Sequence, residues 1–311
     1  MRFGVAVPSY GEHAVGPEVR DLVVAAEELG FASAWFPDHI AVPEEAAGPS
    51  LSPPFFEPLV SCAYGLAITK TIVLGTDILV GPYRHPLLVA AMAATMGHLG
   101  GNRLVLGVGI GYLSGEFAAL NAGPYEERAA RTEAFLRDFR SPPDGTIVLQ
   151  SPAPIRVWVG GNSSEAERRA AFLGDGWHPL WTSAARYADA RERILSLRTE
   201  AGLDSPFTFS YSCMATALLD APRPWRPPAQ RPPKGSEFRY QPEAWVADDD
   251  RPRFVGTPDE VAADIRLLEN AGVDHVVLRF GSTDVRPLER FSAEVMPAFT
   301  REPSEADGSR L

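Results

Sequence analysis

Four stretches of this 311-residue chain hold side chains that chemistry could use. The first is SAWFPDHI (33–40), where an apolar run ends in Pro37, Asp38 and His39. Asp alone is turn punctuation. Followed by an imidazole it also makes a proton-transfer pair, because a free imidazole titrates at about pH 6.5. The second is VWVGGNSSEAERRAA (157–171), an apolar run leading into Gly160, Gly161, Asn162, Ser163 and Ser164 and then a helical pattern. Glycines let backbone N–H groups approach a ligand, a helix N-terminus offers unpaired donors, and hydroxyls add more. Together these form an anion site, most often for phosphate. An ordinary turn with an Asn/Ser cap would read the same way, and the spacing fits neither a Walker loop nor GxGxxG. The third is GVGIGYLSGEF (107–117), whose glycines permit close approach to something flat or simply a sharp turn, with Tyr112 and Glu116 beyond. The fourth is Asp77 inside TIVLGTDILV (71–80). A carboxylate there is costly to bury unpartnered, so the strand bulges or the side chain enters a cleft.

These residues share a position: each follows an apolar run. RFGVAVPS (2–9), ASAWFPD, TIVLGTDILV, RLVLGVGIG (103–111), IRVWVGG (155–161), GWHPLW (176–181), FTFSYSCMATA (207–217) and DHVVLRFG (274–281) read as strands. Between and after them, 16–30, 57–69, 86–99, 125–139, 163–173, 184–201, 257–272 and 287–299 read as helices. Thr257 and Glu260 have capping-box spacing, and Pro17 and Pro258 suit first helical turns. Near-continuous apolar strands alternating with amphipathic helices imply a parallel sheet covered by helices. Eight such units predict an α/β fold of the (β/α)8 TIM-barrel type, as one domain over 1–300, with an open doubly wound sheet as the alternative. In a barrel the residues just past each strand share the catalytic face. That adds Tyr10, Val80, Gly111, His178 and Trp181 to the candidates, with Tyr10 and Trp181 as aromatic substrate walls.

One segment breaks the alternation. Residues 220–256, after the seventh strand, are rich in Pro and Arg and contain Trp225, Tyr240 and Trp245. It reads as a lid over the substrate, with Trp245 as a substrate contact, or as a solvated or subunit-contact loop. The polar residues 301–311 read as a disordered tail.

Composition excludes several classes. With 29 Lys+Arg against 40 Asp+Glu, the net charge of −11 makes nonspecific nucleic-acid binding unfavourable. Cys62 and Cys213 stand alone in apolar surroundings, without zinc spacing, and no metal site is expected. Neither a signal-peptide pattern nor an apolar run of membrane-spanning length is visible, so a soluble cytoplasmic protein is expected.

LGFASAWFPDH, TIVLGTDILVGPYRHPLLVAAMAATMGHLGGNRLVLGVGIGYLSGEF, IRVWVGGNSSEAERRAAFLGDGW and GTPDEVAADIRLLENAGVDHVVL, in that order, resemble the luciferase-like monooxygenase superfamily. The resemblance is to its coenzyme F420-dependent oxidoreductases of actinobacterial type. It implies a barrel, usually dimeric, with a deazaflavin or flavin across its C-terminal mouth. It further implies phosphate binding at Gly160, Gly161, Asn162, Ser163 and Ser164, and a bulge at Asp77-Ile78, often with a non-proline cis peptide, that buttresses the central ring. Asp38, Val80 and Gly111 match cofactor contacts, and His39 matches a residue that exchanges a proton with substrate. Tyr112 departs from the sugar-phosphate dehydrogenases of the superfamily, which carry an acidic residue there. The implied activity is hydride transfer between coenzyme F420 and a small organic molecule at C=C, C=N or a carbonyl/alcohol carbon, with His39 or Tyr112 handling the proton. An FMN-dependent monooxygenase and a noncatalytic flavin-binding relative are the alternatives. Arg156, Arg168 and Arg169 are the basic residues expected near the acidic tail of F420.

Overall fold

The computed structural model describes residues 1–48, 51–141, 155–222 and 251–299. The barrel strands are β1 (Arg2–Ala6), β2 (Ser33–Phe36), β3 (Val73–Thr76) with its continuation β4 (Leu79–Val80), β5 (Leu104–Gly109), β6 (Arg156–Gly160), β7 (Gly176–His178), β8 (Thr208–Ser212) and β11 (His275–Leu278). All pair in parallel. β11 meets β1, and both β3 and β4 pair with β5, so the sheet closes into the expected barrel. Between the pairs Gly75–Val105 and Leu79–Val108 the third barrel strand carries one residue more than β5. That is a bulge, and the Asp77–Ile78 peptide bond within it is cis.

Around the sheet lie α1 (Gly16–Glu28), α2 (Pro58–Ile68), α3 (Pro86–Gly100), α4 (Ser114–Ala119), α5 (Arg128–Arg140), α6 (Ser164–Leu173), α7 (Ala184–Glu200), α8 (Pro258–Asn270) and α9 (Arg286–Glu294). α1 buries Val19, Leu22, Val23 and Ala26 on one stripe, as its periodicity requires. The capping box of α8 forms: the Thr257 N–H donates to Glu260 at 2.9 Å and the Glu260 N–H to Thr257 Oγ1 at 3.3 Å. Cys62 and Cys213 are buried and unbridged.

Two elements differ from expectation. α4 was not anticipated, because six residues are too short to show a period. The expected strand over 207–217 ends at Ser212, and β9 (Ala217–Leu218) instead pairs in parallel with β10 (Val255–Gly256) in a separate sheet. That small sheet brackets the Pro/Arg-rich insertion. Residues 223–250 of the proposed lid, with Trp225, Tyr240 and Trp245, and the tail at 301–311 fall outside the described residues. Among the described residues no helix is long and apolar enough to cross a membrane.

The barrel interior is filled by two indoles. Trp35 of β2 stacks on Trp158 of β6 at 4.9 Å between ring centroids, and the His178 ring lies 5.1 Å from Trp35. Neighbouring strands make room by omitting side chains. A Cβ on Gly75 would fall 2.4 Å from Trp35 Cε3, and one on Gly176 would fall 2.5 Å from Trp158 Cδ1. Gly75→Ala is therefore expected to destabilise the fold by about 1–3 kcal/mol through overpacking. Gly16→Ala, where no heavy atom lies within 4 Å of the added carbon, is the control and should not destabilise. Urea denaturation midpoints check both.

Candidate active site

β2 ends at Phe36 and delivers Asp38 and His39 to the mouth, but it turns them to different tasks. The Asp38 side chain has no exposed surface. It accepts two hydrogen bonds from the Arg84 guanidinium, at 2.7 and 2.8 Å, and one from the Val80 N–H at 2.8 Å. Arg84 also donates to Glu57 at 2.7 Å. Burial works against the Arg84 charge, but the Asp38 and Glu57 carboxylates outweigh it and hold its pKa above the usual guanidinium value. The resemblance points to Asp38 as a cofactor contact. Its carboxylate is instead engaged in tying the end of β2 to the chain just past the bulge.

His39 sits between two groups. Its Nδ1 lies 3.0 Å from Glu116 Oε2, and the Tyr112 hydroxyl is 3.3 Å from Nε2. Glu116, on α4, is fully buried. Besides the imidazole it accepts from the Ile40 N–H at 2.5 Å, the Ala41 N–H at 2.9 Å and the Tyr83 hydroxyl at 3.1 Å. Burial alone would raise its pKa. The His39 ring and the amides of Ala41 and Ile40 reverse that, so Glu116 titrates below the usual carboxylate range. Burial and the nearby Glu116 charge push the Tyr112 phenol up, while Arg279 pulls weakly the other way. Phe55 covers another flank of the imidazole at 5.0 Å, and Tyr10 stacks on Phe55 at 5.1 Å. Tyr10 thus adjoins His39 through one intervening ring.

Across the mouth the bulge presents two unlike side chains. Asp77 Oδ1 faces His178 Nε2 at 3.1 Å, and its Oδ2 accepts from Arg279 at 2.8 Å and from the Ser212 hydroxyl at 3.2 Å. Burial opposes the Asp77 charge, but His178 and Arg279 lower its pKa to about 2. His178 is buried beneath the mouth, its Nδ1 2.5 Å from Ser210 Oγ. Ile78 goes to the opposite side. A Cβ on Gly160 would fall 2.1 Å from Ile78 Cδ1, and one on Gly109 would fall 2.9 Å from Ile78 Cγ2. At these two positions the missing side chain makes room for Ile78. Gly111 has φ +74°, and a Cβ there would meet Val80 and Phe117, both at 2.8 Å.

At the start of α6, Gly161, Ser163 and Ser164 are exposed. Ser163 Oγ caps the helix by accepting from the Ala166 N–H at 3.3 Å. The Asn162 side chain clasps Leu180, donating to its carbonyl at 2.6 Å and accepting from its N–H at 3.1 Å. The Glu165 backbone N–H and the Ser163 and Ser164 hydroxyls hold the pKa of the Glu165 carboxyl below the usual range. The loop is a capped turn, as one of the two sequence readings has it, with its exposed Ser163 and Ser164 at the helix start.

The sequence profile of the luciferase-like monooxygenases matches residues 1–223. The chain belongs to the luciferase-like monooxygenase family. A relative from Intrasporangium calvum named as an F420-dependent glucose-6-phosphate dehydrogenase is 28% identical, aligned over 91% of this chain and 95% of its own. One from Kineococcus radiotolerans with the same name is 26% identical over 90% and 92%. The solved structure of an F420-dependent secondary alcohol dehydrogenase in complex with an F420–acetone adduct superposes with a TM-score of 0.72 at 17% identity, covering 96% of this chain and 99% of that one. The monooxygenase RslO1 from Streptomyces bottropensis gives 0.72 at 19%, over 96% and 100%. At such identities the structural matches establish the luciferase-like fold.

Within that fold several expected residues are placed away from the mouth. Trp181 is buried in the main core, its indole donating to the Pro252 carbonyl at 3.0 Å with the Arg251 guanidinium over its ring. It is not an open substrate wall. Arg156 opens β6, at the end of the barrel remote from the mouth, and Arg169 is buried against Glu133. The arginine that does reach the α6 loop is Arg186, which donates to the Asn162 carbonyl. Sequence reasoning placed Glu116, Tyr83 and Arg84 just past their strands but gave none of them a role at the site. The one available signal was an acidic residue shortly after the glycines of β5.

Glu116→Gln tests the buried carboxylate. At pH 7 the variant is expected to be about 1–3 kcal/mol less stable, because hydrogen bonds to a charged acceptor are weakened. The Glu116 pKa is depressed by folding, so its contribution is fully present above the unfolded value of about 4.3 and is lost as pH falls through the folded one. The stability gap between wild type and variant in urea should therefore stay constant from pH 7 to about pH 5 and narrow on acidification below about pH 4.

Proposed function

We propose that this protein is an oxidoreductase that moves a hydride between coenzyme F420 and a small organic substrate, with His39 as proton donor and acceptor. The observation that carries the reading is the imidazole held between a buried carboxylate and a phenol at the C-terminal mouth. F420 dependence in the named relatives, aligned over about nine-tenths of the chain, supports the cofactor. The residues fit its phosphate: the exposed Gly161, Ser163 and Ser164 stand at the N-terminus of α6, and the Ser163 and Ser164 hydroxyls already favour the charged form of the Glu165 carboxyl, whose place a phosphate would take. Ile78, packed over Gly109 and Gly160, would support the central ring. When bound, the deazaflavin supplies the hydride chemistry. The chain supplies orientation and the proton, and one positioned group of this kind contributes about 10²–10⁴ in rate.

We further propose a homodimer formed through α2 and α3. Neither helix contains a Lys, Arg, Asp or Glu, and Val60, Tyr64, Leu88, Met92 and Leu99 stand exposed on them. Solvated helix faces are normally charged, and contiguous apolar ones mark contact surfaces. Sedimentation should show a dimer for the wild type and a monomer for Tyr64→Glu combined with Met92→Glu.

The cofactor is tested by fluorescence titration of the purified protein with F420 and, separately, with FMN. Saturable F420 binding is expected. Glu165→Gln should tighten it about two- to fivefold, the effect of removing one competing charge from a helix N-terminus. Tight FMN binding with no detectable F420 binding would overturn the reading in favour of an FMN-dependent monooxygenase.

A further inference from the structure

We infer that the proton of the reaction passes through Tyr112, with the phenol as the group that touches substrate, His39 directly behind it, and Glu116 as the positioning residue that keeps the imidazole Nε2 turned to the phenol. This rests on the hydride-transfer reading above and narrows its substrate class to compounds that are protonated on a heteroatom.

Three observations carry it. The first is order of exposure. The His39 side chain is 12% exposed and Tyr112 is 44% exposed, so the phenol is the outer member of the pair. The second is the donor logic at Glu116. Its Oε1 takes the Ile40 and Ala41 amides, and its Oε2 takes the Tyr83 hydroxyl and faces His39 Nδ1 at 3.0 Å. An ionised carboxylate offers only lone pairs, so the hydrogen belongs to Nδ1. The other nitrogen is thereby assigned to the phenol, with Tyr112 Oη 3.3 Å from Nε2 and the two rings at 85°. The third is the packing around the imidazole: Phe55 lies 5.0 Å from it, with Tyr10 stacked on Phe55.

The step balances as follows. In the reducing direction a carbonyl carbon gains a hydride, whose source is the reduced deazaflavin of the proposed reaction, and the π electrons of C=O move to oxygen. That oxygen takes the Tyr112 proton. As the phenolic O–H bond breaks, the phenol oxygen takes the proton on His39 Nε2. The imidazolium becomes the neutral Nδ1–H form facing Glu116. Alcohol oxidation runs the same path backwards and leaves an imidazolium beside the Glu116 carboxylate. The raised phenol pKa makes a standing phenolate unfavourable, so both protons move together. A phenol of this kind hydrogen-bonds to and protonates oxygen or nitrogen. The inference thus favours carbonyl and imine substrates, with their alcohol and amine partners, over isolated C=C bonds.

The test separates the relay from the cofactor. Full-length protein labelled with ¹⁵N-histidine, without cofactor or substrate, is studied by long-range ¹H–¹⁵N NMR at pH 8, with His39 assigned by its loss in His39→Gln. The wild type should show the Nδ1–H tautomer. Tyr112→Phe should keep that tautomer and shift the Nε2 resonance. Glu116→Gln, whose amide can donate to Nδ1, should move the ring to the Nε2–H tautomer, which a merely structural role would not predict. An Nε2–H tautomer in the wild type, or an Nε2 resonance unmoved by Tyr112→Phe, overturns the relay whatever the cofactor proves to be. In turnover with F420, Tyr112→Phe should lower kcat by about 100-fold or more while changing KM by less than about threefold, and an unchanged kcat overturns the role at the substrate.

Discussion

A fully buried carboxylate holds the mouth of this barrel together. Glu116 gathers a ring nitrogen, two backbone amides and a hydroxyl, from the chain after β2 and from Tyr83 just past β4. An unpartnered buried charge would be expelled or neutralised, whereas one with a complete donor set keeps its charge and orders its donors. The sequence distance spanned is long, since His39 and Glu116 are 77 residues apart. The Asp38–Arg84 pair does the same work one residue earlier, fixing the end of β2 to the Val80 amide. Removing Arg84 from this pair is expected to cost about 3–5 kcal/mol, because the Asp38 carboxylate left behind has no exposed surface. The position of His39 is thus set on both sides by charges that do not themselves face the mouth.

The bulge divides the mouth into an apolar and a polar half. One extra residue in the third barrel strand sends Ile78 towards β5 and β6 and Asp77 towards His178, Ser212 and Arg279. This changes the meaning of the glycines. Read along the chain, Gly109 and Gly160 belong to separate Gly-rich turns on different strands. In the fold both yield space to Ile78. Gly161 differs from its neighbour: it is exposed, has φ +113°, and opens onto the start of α6.

The barrel was legible because its strands are continuous apolar runs and most of its helices are long enough to show a period. Legibility failed where an element is short or a partnership is distant. α4 has six residues and buries only Glu116 and Phe117, so no periodicity marks it, yet it carries the carboxylate behind His39. Asp38 and Arg84 were each visible, but nothing local announces that they meet 46 residues apart. Arg156 misled for another reason. It adjoins the phosphate-loop motif in sequence but opens the strand that the loop closes, and one barrel strand separates the two faces. Trp181 shows the limit of reading aromatics: it follows a strand as a substrate wall would, yet its indole is needed to satisfy the Pro252 carbonyl.

The residue at position 112 follows from the charge already behind it. Glu116 is ionised by its own donors, and a second carboxylate just beyond His39 would be a like charge in a partly buried site, with its pKa forced upwards. A phenol avoids that conflict. It stays neutral, can donate and accept in the same contact, and adds no charge to a wall that already carries one. The opposite wall, with Asp77 compensated by His178 and Arg279, is paired in the same manner. The mouth therefore offers a substrate a neutral hydroxyl backed by an imidazole, with the carboxylates of both walls hydrogen-bonded behind its surface. Such a surface suits a polar but uncharged reacting group better than it suits an anion at the reacting carbon.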